Sequence, residues 1–210
     1  MTLCELFGTE LPVIQAPMAS AQGSALAIAV SNAGALGSLP CGMLGMAEMR
    51  AELAALKAGT RRPFNVNFFA FAPPKPDPQR DAAWRALLAP YYRELGIDPS
   101  TVSAGPARAP FNQEAADVLA EFRPAVVSFH FGLPAPDLLA RVRTIGAKII
   151  SSATTIEEAR RLEAQGVDAI IAQGLEAGGH RGSFLEFDLA AQVGTLALVP
   201  QVVRAVKVIR

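Results

Sequence analysis

Apolar positions along this 210-residue chain fall into short runs separated by polar turns containing glycine or proline. Residues 11–17 (LPVIQAP) form the first run and read as a fully buried strand. Residues 35–39, 64–69, 125–129, 148–152 and 167–173 form five more. In 64–69 the asparagines Asn65 and Asn67 alternate with apolar residues, so both should point to the same face. Between these runs the spacing becomes helical. Helices are predicted over 25–32, 46–57, 81–95, 112–122, 136–144, 155–165 and 196–206. Asn112 is placed to cap one of them, and Thr155 with Glu158 reads as a capping box. Residues 73–78 are proline-rich and 96–110 form an irregular linker, which sets off a helical insertion at about 73–111. Residues 208–210 look like the start of a seventh strand.

Strand, loop and helix repeated six times predict an α/β fold with a parallel sheet covered by helices. Candidate site residues stand at several strand ends: Met18, Asn67, His130, Ser152 and Gln173. A barrel brings all such ends to one face, whereas an open sheet concentrates function at one crevice. The expectation is therefore a TIM-barrel-type (β/α) repeat, incomplete at about six of eight units. Its open sheet edges could pair with a second copy of the chain.

Composition narrows the class of function. The chain is 51% hydrophobic and 18% charged, with 19 basic and 19 acidic residues. No basic stripe points to nucleic acid, and no polybasic cluster points to a membrane surface. The apolar runs are too short to span a bilayer and the N-terminus lacks a secretory pattern, so a cytoplasmic chain is expected. Cys4 and Cys41 make no disulfide framework and no metal-ligand spacing. No Walker phosphate loop, Rossmann glycine fingerprint or pair of catalytic carboxylates is present.

Two stretches remain as carriers of chemistry. His130, in Ser128-Phe-His-Phe-Gly132, follows a strand and can act as a base near neutral pH; it can equally be a histidine satisfied at the core edge. Gly178-Gly179-His180-Arg181-Gly182 follows another strand and is either a turn that meets an anion or ring edge, or a surface turn. Asn67 and Gln173 are amides that could bond a heteroaromatic ring or satisfy loop backbone. Met18 reads as core packing.

These motifs, together with Pro12-Val-Ile-Gln-Ala-Pro-Met18 and Phe64-Asn-Val-Asn-Phe68, resemble the nitronate monooxygenases, formerly called 2-nitropropane dioxygenases. The resemblance runs from Leu11 to the C-terminus. It implies a TIM barrel with a small extra domain that binds FMN non-covalently and oxidises alkyl nitronates, such as propionate 3-nitronate, with O₂ to a carbonyl compound and nitrite. It also implies roles. Pro17, Met18 and Ala19 would pack beside the flavin, Asn67 and Gln173 would hydrogen-bond it, and Gly178 and Gly179 would approach it by backbone. His130 would be the active-site base or orient the nitronate oxygens, and His180 would line the substrate side. Family members carry seventh and eighth strands whose loops grip the FMN phosphate. A C-terminally truncated member lacking them is expected to bind FMN weakly, since charge-assisted hydrogen bonds are worth about 1.5–3 kcal/mol each. The competing readings are a related FMN enoyl-reductase-like barrel using NAD(P)H, and a non-catalytic barrel remnant.

Overall fold

In the computed structural model, which describes residues 1–102 and 109–208, the chain divides into two compact units. One comprises Met1–Phe71 with Pro110–Arg210, the other Ala72–Ala109.

The larger unit carries five strands: β1 (Gly37–Pro40), β2 (Phe64–Phe69), β3 (Val126–His130), β4 (Lys148–Ala153) and β5 (Ala169–Ala172). They lie side by side in chain order and every pairing is parallel. The helices of this unit are α1 (Leu3–Phe7), α2 (Ser24–Asn32), α3 (Met46–Gly59), α5 (Gln113–Phe122), α6 (Pro136–Thr144), α7 (Ile156–Ala164) and α8 (Thr195–Ala205); α4 (Pro78–Glu94) belongs to the smaller unit. Their limits follow local chemistry. Asn112 caps α5 by accepting from the Ala115 N–H at 3.0 Å, and Ala115, Ala116, Val118 and Leu119 form its buried face. Met49, Leu53 and Leu56 do the same for α3. In the smaller unit, α4 starts three residues before the expected position because Asp77 caps it, accepting from Arg80 N–H, and Pro78 occupies the first turn.

The sheet is a parallel (β/α) repeat of TIM-barrel type and is incomplete. Its two faces differ. Phe64, Val66, Phe68, Val127, Phe129 and Ile149 point one way into the main core, packed with Leu53, Leu119 and Leu162 of the helices. The opposite, inner face carries Ser38, Asn65, Asn67, Ser128, His130 and Ser152, as strand alternation dictates. At the start of the strands this inner face is apolar. Leu36, Val126, Ile150 and Ala169 there are covered by Leu6 and Phe7 of α1.

Two expectations need correction. Residues 11–17 make no regular strand. They form a single parallel bridge, Ile14 with Leu36, and Leu11 and Val13 are 46% and 55% exposed rather than buried. The segment pairs on one side only, and Pro12 and Pro17 have no N–H to extend a ladder. The Thr155–Glu158 capping box is half formed: Thr155 accepts from Glu158 N–H at 3.1 Å, but the Glu158 carboxylate turns elsewhere. The start of a seventh strand falls on residues 208–210, of which 209 and 210 lie outside the described residues, as do 103–108 of the linker. The five-residue helix α1 was not foreseen; a Thr2–Glu5 capping box starts it and Gly8 ends it.

Candidate active site at the strand ends

Register explains why polar side chains converge. Pairing aligns Ser38 with Asn65 and Asn67 with Ser128, each pair on the inner face. Asn65 Nδ2 donates to Ser38 Oγ and Ser128 Oγ, at 3.0 and 2.9 Å, and Asn67 Nδ2 also reaches Ser128 Oγ at 2.9 Å. A buried amide–hydroxyl ladder thus crosses β1, β2 and β3. Asn65 Oδ1 is enclosed and accepts no hydrogen bond from the described residues.

Two residues beyond Ser128, toward the strand ends, stands His130. Its Nδ1 lies 3.1 Å from Ser152 Oγ and its Nε2 lies 3.0 Å from the His180 carbonyl oxygen. A carbonyl can only accept, so Nε2 carries the proton, and neutral His130 then takes the Ser152 hydroxyl proton at Nδ1. Burial is the largest influence and holds the His130 imidazolium below its ordinary value of 6.5, against the opposing pull of the His180 carbonyl. The chain leaves the strand abruptly, with Phe131 and Gly132 both at positive φ (67° and 85°). A phenylalanine there is strained. Its ring is held among Phe69, Phe71, His130 and His180, with centroids 4.6 to 6.4 Å away.

The low His130 value has a consequence for stability. The unfolded chain takes up a proton near pH 6.5, which the folded site resists until lower pH. The folded state therefore keeps its full stability above 6.5 and loses some as pH falls through that window. His130→Gln is expected to flatten the slope of thermal midpoint against pH between 7 and 5. An unchanged slope would assign the loss to other groups.

The glycine-rich segment folds over His130. Gln173, just past β5, uses both ends of its amide on it: Nε2 donates to the His180 carbonyl at 2.9 Å, and Oε1 accepts from Gly182 N–H at 2.7 Å. Arg181 donates to the carbonyls of Gln173 and Gly174, at 3.0 and 2.6 Å. Glu176 accepts from Thr195 N–H and Oγ1 at 2.8 and 2.9 Å, replacing the side-chain cap that Gly194 cannot give α8. A Cβ on Gly182 would lie 2.7 Å from His130 Cε1, so only glycine allows this approach.

The expected site residues separate into two groups. His130, Asn67, Gln173 and the His180 backbone gather at the strand ends, although Gln173 and His130 engage the segment rather than open space. Pro17, Met18 and Ala19 lie in the loop after the bridging segment. Met18 is half exposed rather than packed in the core, and Ala19 lines a cleft of about 460 Å³ with Gly23, Leu39, Pro40 and Met43. Pro40 pairs in register with Asn67, which places this cleft at the same end of the sheet. Gly178 and Gly179 are exposed, with open space around them. Ser152 takes part as well, and so do Ser128, Gly182 and Glu158, which were not singled out as site members. Ser152 carried a signal as a strand-end hydroxyl, and Gly182 as the last residue of the glycine motif. Burial pushes the Cys41 thiol well above its ordinary range, which removes it as a nucleophile.

Comparison with known proteins places this geometry. The profile of the family described as "Nitronate monooxygenase" matches residues 1–209. A nitronate monooxygenase of Paraburkholderia phytofirmans is 42% identical over 204 residues, covering 93% of this chain and 54% of that protein. One from Pseudomonas aeruginosa is 43% identical over 196 residues, covering 92% and 56%. The chain thus spans about half the length of the curated relatives it matches. Among solved structures, a nitroalkane oxidase from Streptomyces ansochromogenes superposes with a TM-score of 0.84 at 38% identity, over 98% of this chain and 58% of that one. FabK from Thermotoga maritima gives 0.69 at 26% identity, over 98% and 51%. Among the described residues no helix is long and apolar enough to cross a membrane.

Proposed function

The chain belongs to the nitronate monooxygenase family, and from that premise we propose that it supplies the active-site half of an FMN enzyme that oxidises alkyl nitronates with O₂ to a carbonyl compound and nitrite. The observation that carries this is His130, neutral, oriented by Ser152, and standing at the strand ends beside a polar inner face.

The residues fit the ring end of a flavin. The cleft beside Asn67 has a volume within the range of small-molecule sites and is lined by Ala19, Ala21 and Gly23, so a flat ring can approach backbone closely. Asn65 Oδ1 leaves an unpartnered acceptor on the same inner face. The rim carries Glu48 and Glu52, which disfavour a phosphate there. In this reading Pro17, Met18 and Ala19 border the ring, Asn67 and Gln173 bond it, and Gly178 and Gly179 meet it by backbone. FMN, when bound, supplies the electron acceptor.

The chain's own contribution is a positioned proton. The His180 carbonyl, which can only accept, places the His130 N–H at Nε2 and leaves Nδ1 to accept from Ser152. That N–H meets the His180 carbonyl oxygen, and a nitronate oxygen, which is anionic, is a stronger acceptor for the same donor. Substrate entry therefore exchanges one acceptor for another at Nε2, with His180 at the substrate side. The aromatic rings of Phe69 and Phe131 pack beside the imidazole. The edges of the sheet, at residues 13–15 and at β5, are unpaired among the described residues and offer backbone groups to a second copy of the chain.

The test is to mix the purified chain with FMN, add propionate 3-nitronate, and follow O₂ uptake and nitrite. FMN-dependent nitrite formation is expected, and its absence from flavin-loaded protein overturns the proposal. Reduction of the flavin by NADH would instead favour the enoyl-reductase-like reading. That reading has the weaker support, since the family profile and the relatives described above are nitronate monooxygenases.

A further inference from the structure

We propose that Glu158 is the positioning residue of this site, its carboxylate pinning the segment that sets the His180 carbonyl against His130. Glu158 is fully buried. Its Oε2 accepts from Thr154 N–H and Thr154 Oγ1, both at 2.7 Å, and its Oε1 accepts from Phe184 N–H at 2.7 Å and Leu185 N–H at 3.1 Å. No basic side chain is among these partners. A buried carboxylate is tolerated when hydrogen bonds satisfy its lone pairs, and here two donors meet each oxygen. The start of α7 adds a favourable dipole. Capping does not explain the residue, because Thr155 already caps α7.

What the carboxylate joins is more telling. Thr154 follows β4, the strand that carries Ser152, and Phe184 and Leu185 end the glycine-rich segment. Thr154 Oγ1 also lies 3.2 Å from Ser183 Oγ. Phe184 packs over Gly132, where a Cβ would lie 3.2 Å from its ring. The segment is therefore fixed twice: at 180–182 by Gln173, and at 183–185 by Glu158. The backbone on His130, at the His180 carbonyl and Gly182, belongs to the first anchor, and the second holds the residues that directly follow it. The ionisable groups near His130 on the segment are His180 and Arg181, and Glu158 holds the end of that segment; Lys148 and Asp168 pair with each other at the far ends of the strands. The inference rests on the function proposed above only for its catalytic consequence, since the contact itself is read at His130.

The experiment follows the His130 ring by NMR in the histidine-labelled chain without cofactor. Only two histidines are present, and His180→Gln assigns them. In Glu158→Gln one oxygen must serve donors that two served before, and an amide N–H₂ faces backbone N–H groups. Two effects follow at His130. Losing the His180 carbonyl lowers the midpoint and admitting water raises it; burial is the larger influence, so the midpoint should rise, by about 0.5 in pH or more. Glu163→Gln on the same helix, whose carboxylate holds the Lys207 and Val208 N–H groups, should leave it in place. Folded Glu158→Gln with an unchanged His130 midpoint overturns the proposal. If Glu158→Gln does not fold, the double variant Thr154→Val/Ser183→Ala decides: a smaller rise supports the proposal and no rise overturns it. Full nitronate turnover by His130→Ala would remove the catalytic reading while leaving this result standing.

Discussion

Replacing His130 with alanine is expected to lower nitronate turnover by about 10²–10⁴-fold, the usual contribution of a positioned acid–base group. The loss should fall mainly on kcat. Alanine leaves Ser152 without its acceptor and removes the N–H at Nε2, the only proton donor the histidine turns toward the substrate side. It leaves the packed core untouched, because His130 is the last residue of β3 and points to the inner face, whereas Phe129 points to the core. Unfolding curves should therefore change little. His130→Gln, which keeps an N–H near the same place, should recover part of the rate. Undiminished turnover in His130→Ala, measured as nitrite released by flavin-loaded protein, would exclude the residue from the mechanism.

Gly37→Ala is expected to destabilise the fold by about 3 kcal/mol or more. A Cβ there would lie 2.0 Å from the Ala27 carbonyl oxygen and 2.7 Å from Ser31 Oγ. The first is helix backbone and cannot rotate away. Ser31 is also committed, accepting from Gly37 N–H and donating to the Pro63 carbonyl. Relief requires α2 to move off β1. Gly178→Ala, with open space around the site, should change stability by no more than about 0.5 kcal/mol. Urea unfolding of both variants checks the contrast. A Gly37→Ala chain as stable as its parent would mean that α2 and β1 are less closely docked than described.

The same contrast shows what the sequence reveals. Gly178 stands in a conspicuous glycine cluster, whereas Gly37 stands alone in a short strand, yet of these two only Gly37 is tightly enclosed. Whatever depends on neighbours in sequence was legible. The alternation of Asn65 and Asn67 placed both on one face, and Asn112 marked the start of α5. Whatever depends on distant partners was not. The bridging segment at 13–15 is apolar enough for a buried strand, but burial needs a neighbour on each side. Glu158 fits a capping-box pattern, and no local feature shows that its carboxylate turns to Phe184 and Leu185 instead. For His130 the sequence supplied position but not partners: Ser152 and the His180 carbonyl reach it from separate elements.

The inner face of the sheet is closed at the strand starts by Leu6 and Phe7 of α1 and lined by polar groups toward the strand ends. Height along one strand therefore separates two kinds of selective constraint. In β3, Val126 answers to packing alone, Ser128 to a hydrogen-bond ladder, and His130, under the proposed function, to chemistry. Drift at the lower level is limited by volume, and drift at the upper level by what the site must recognise. A substitution at a lower rung should therefore register first in stability, and one at the uppermost rung first in turnover.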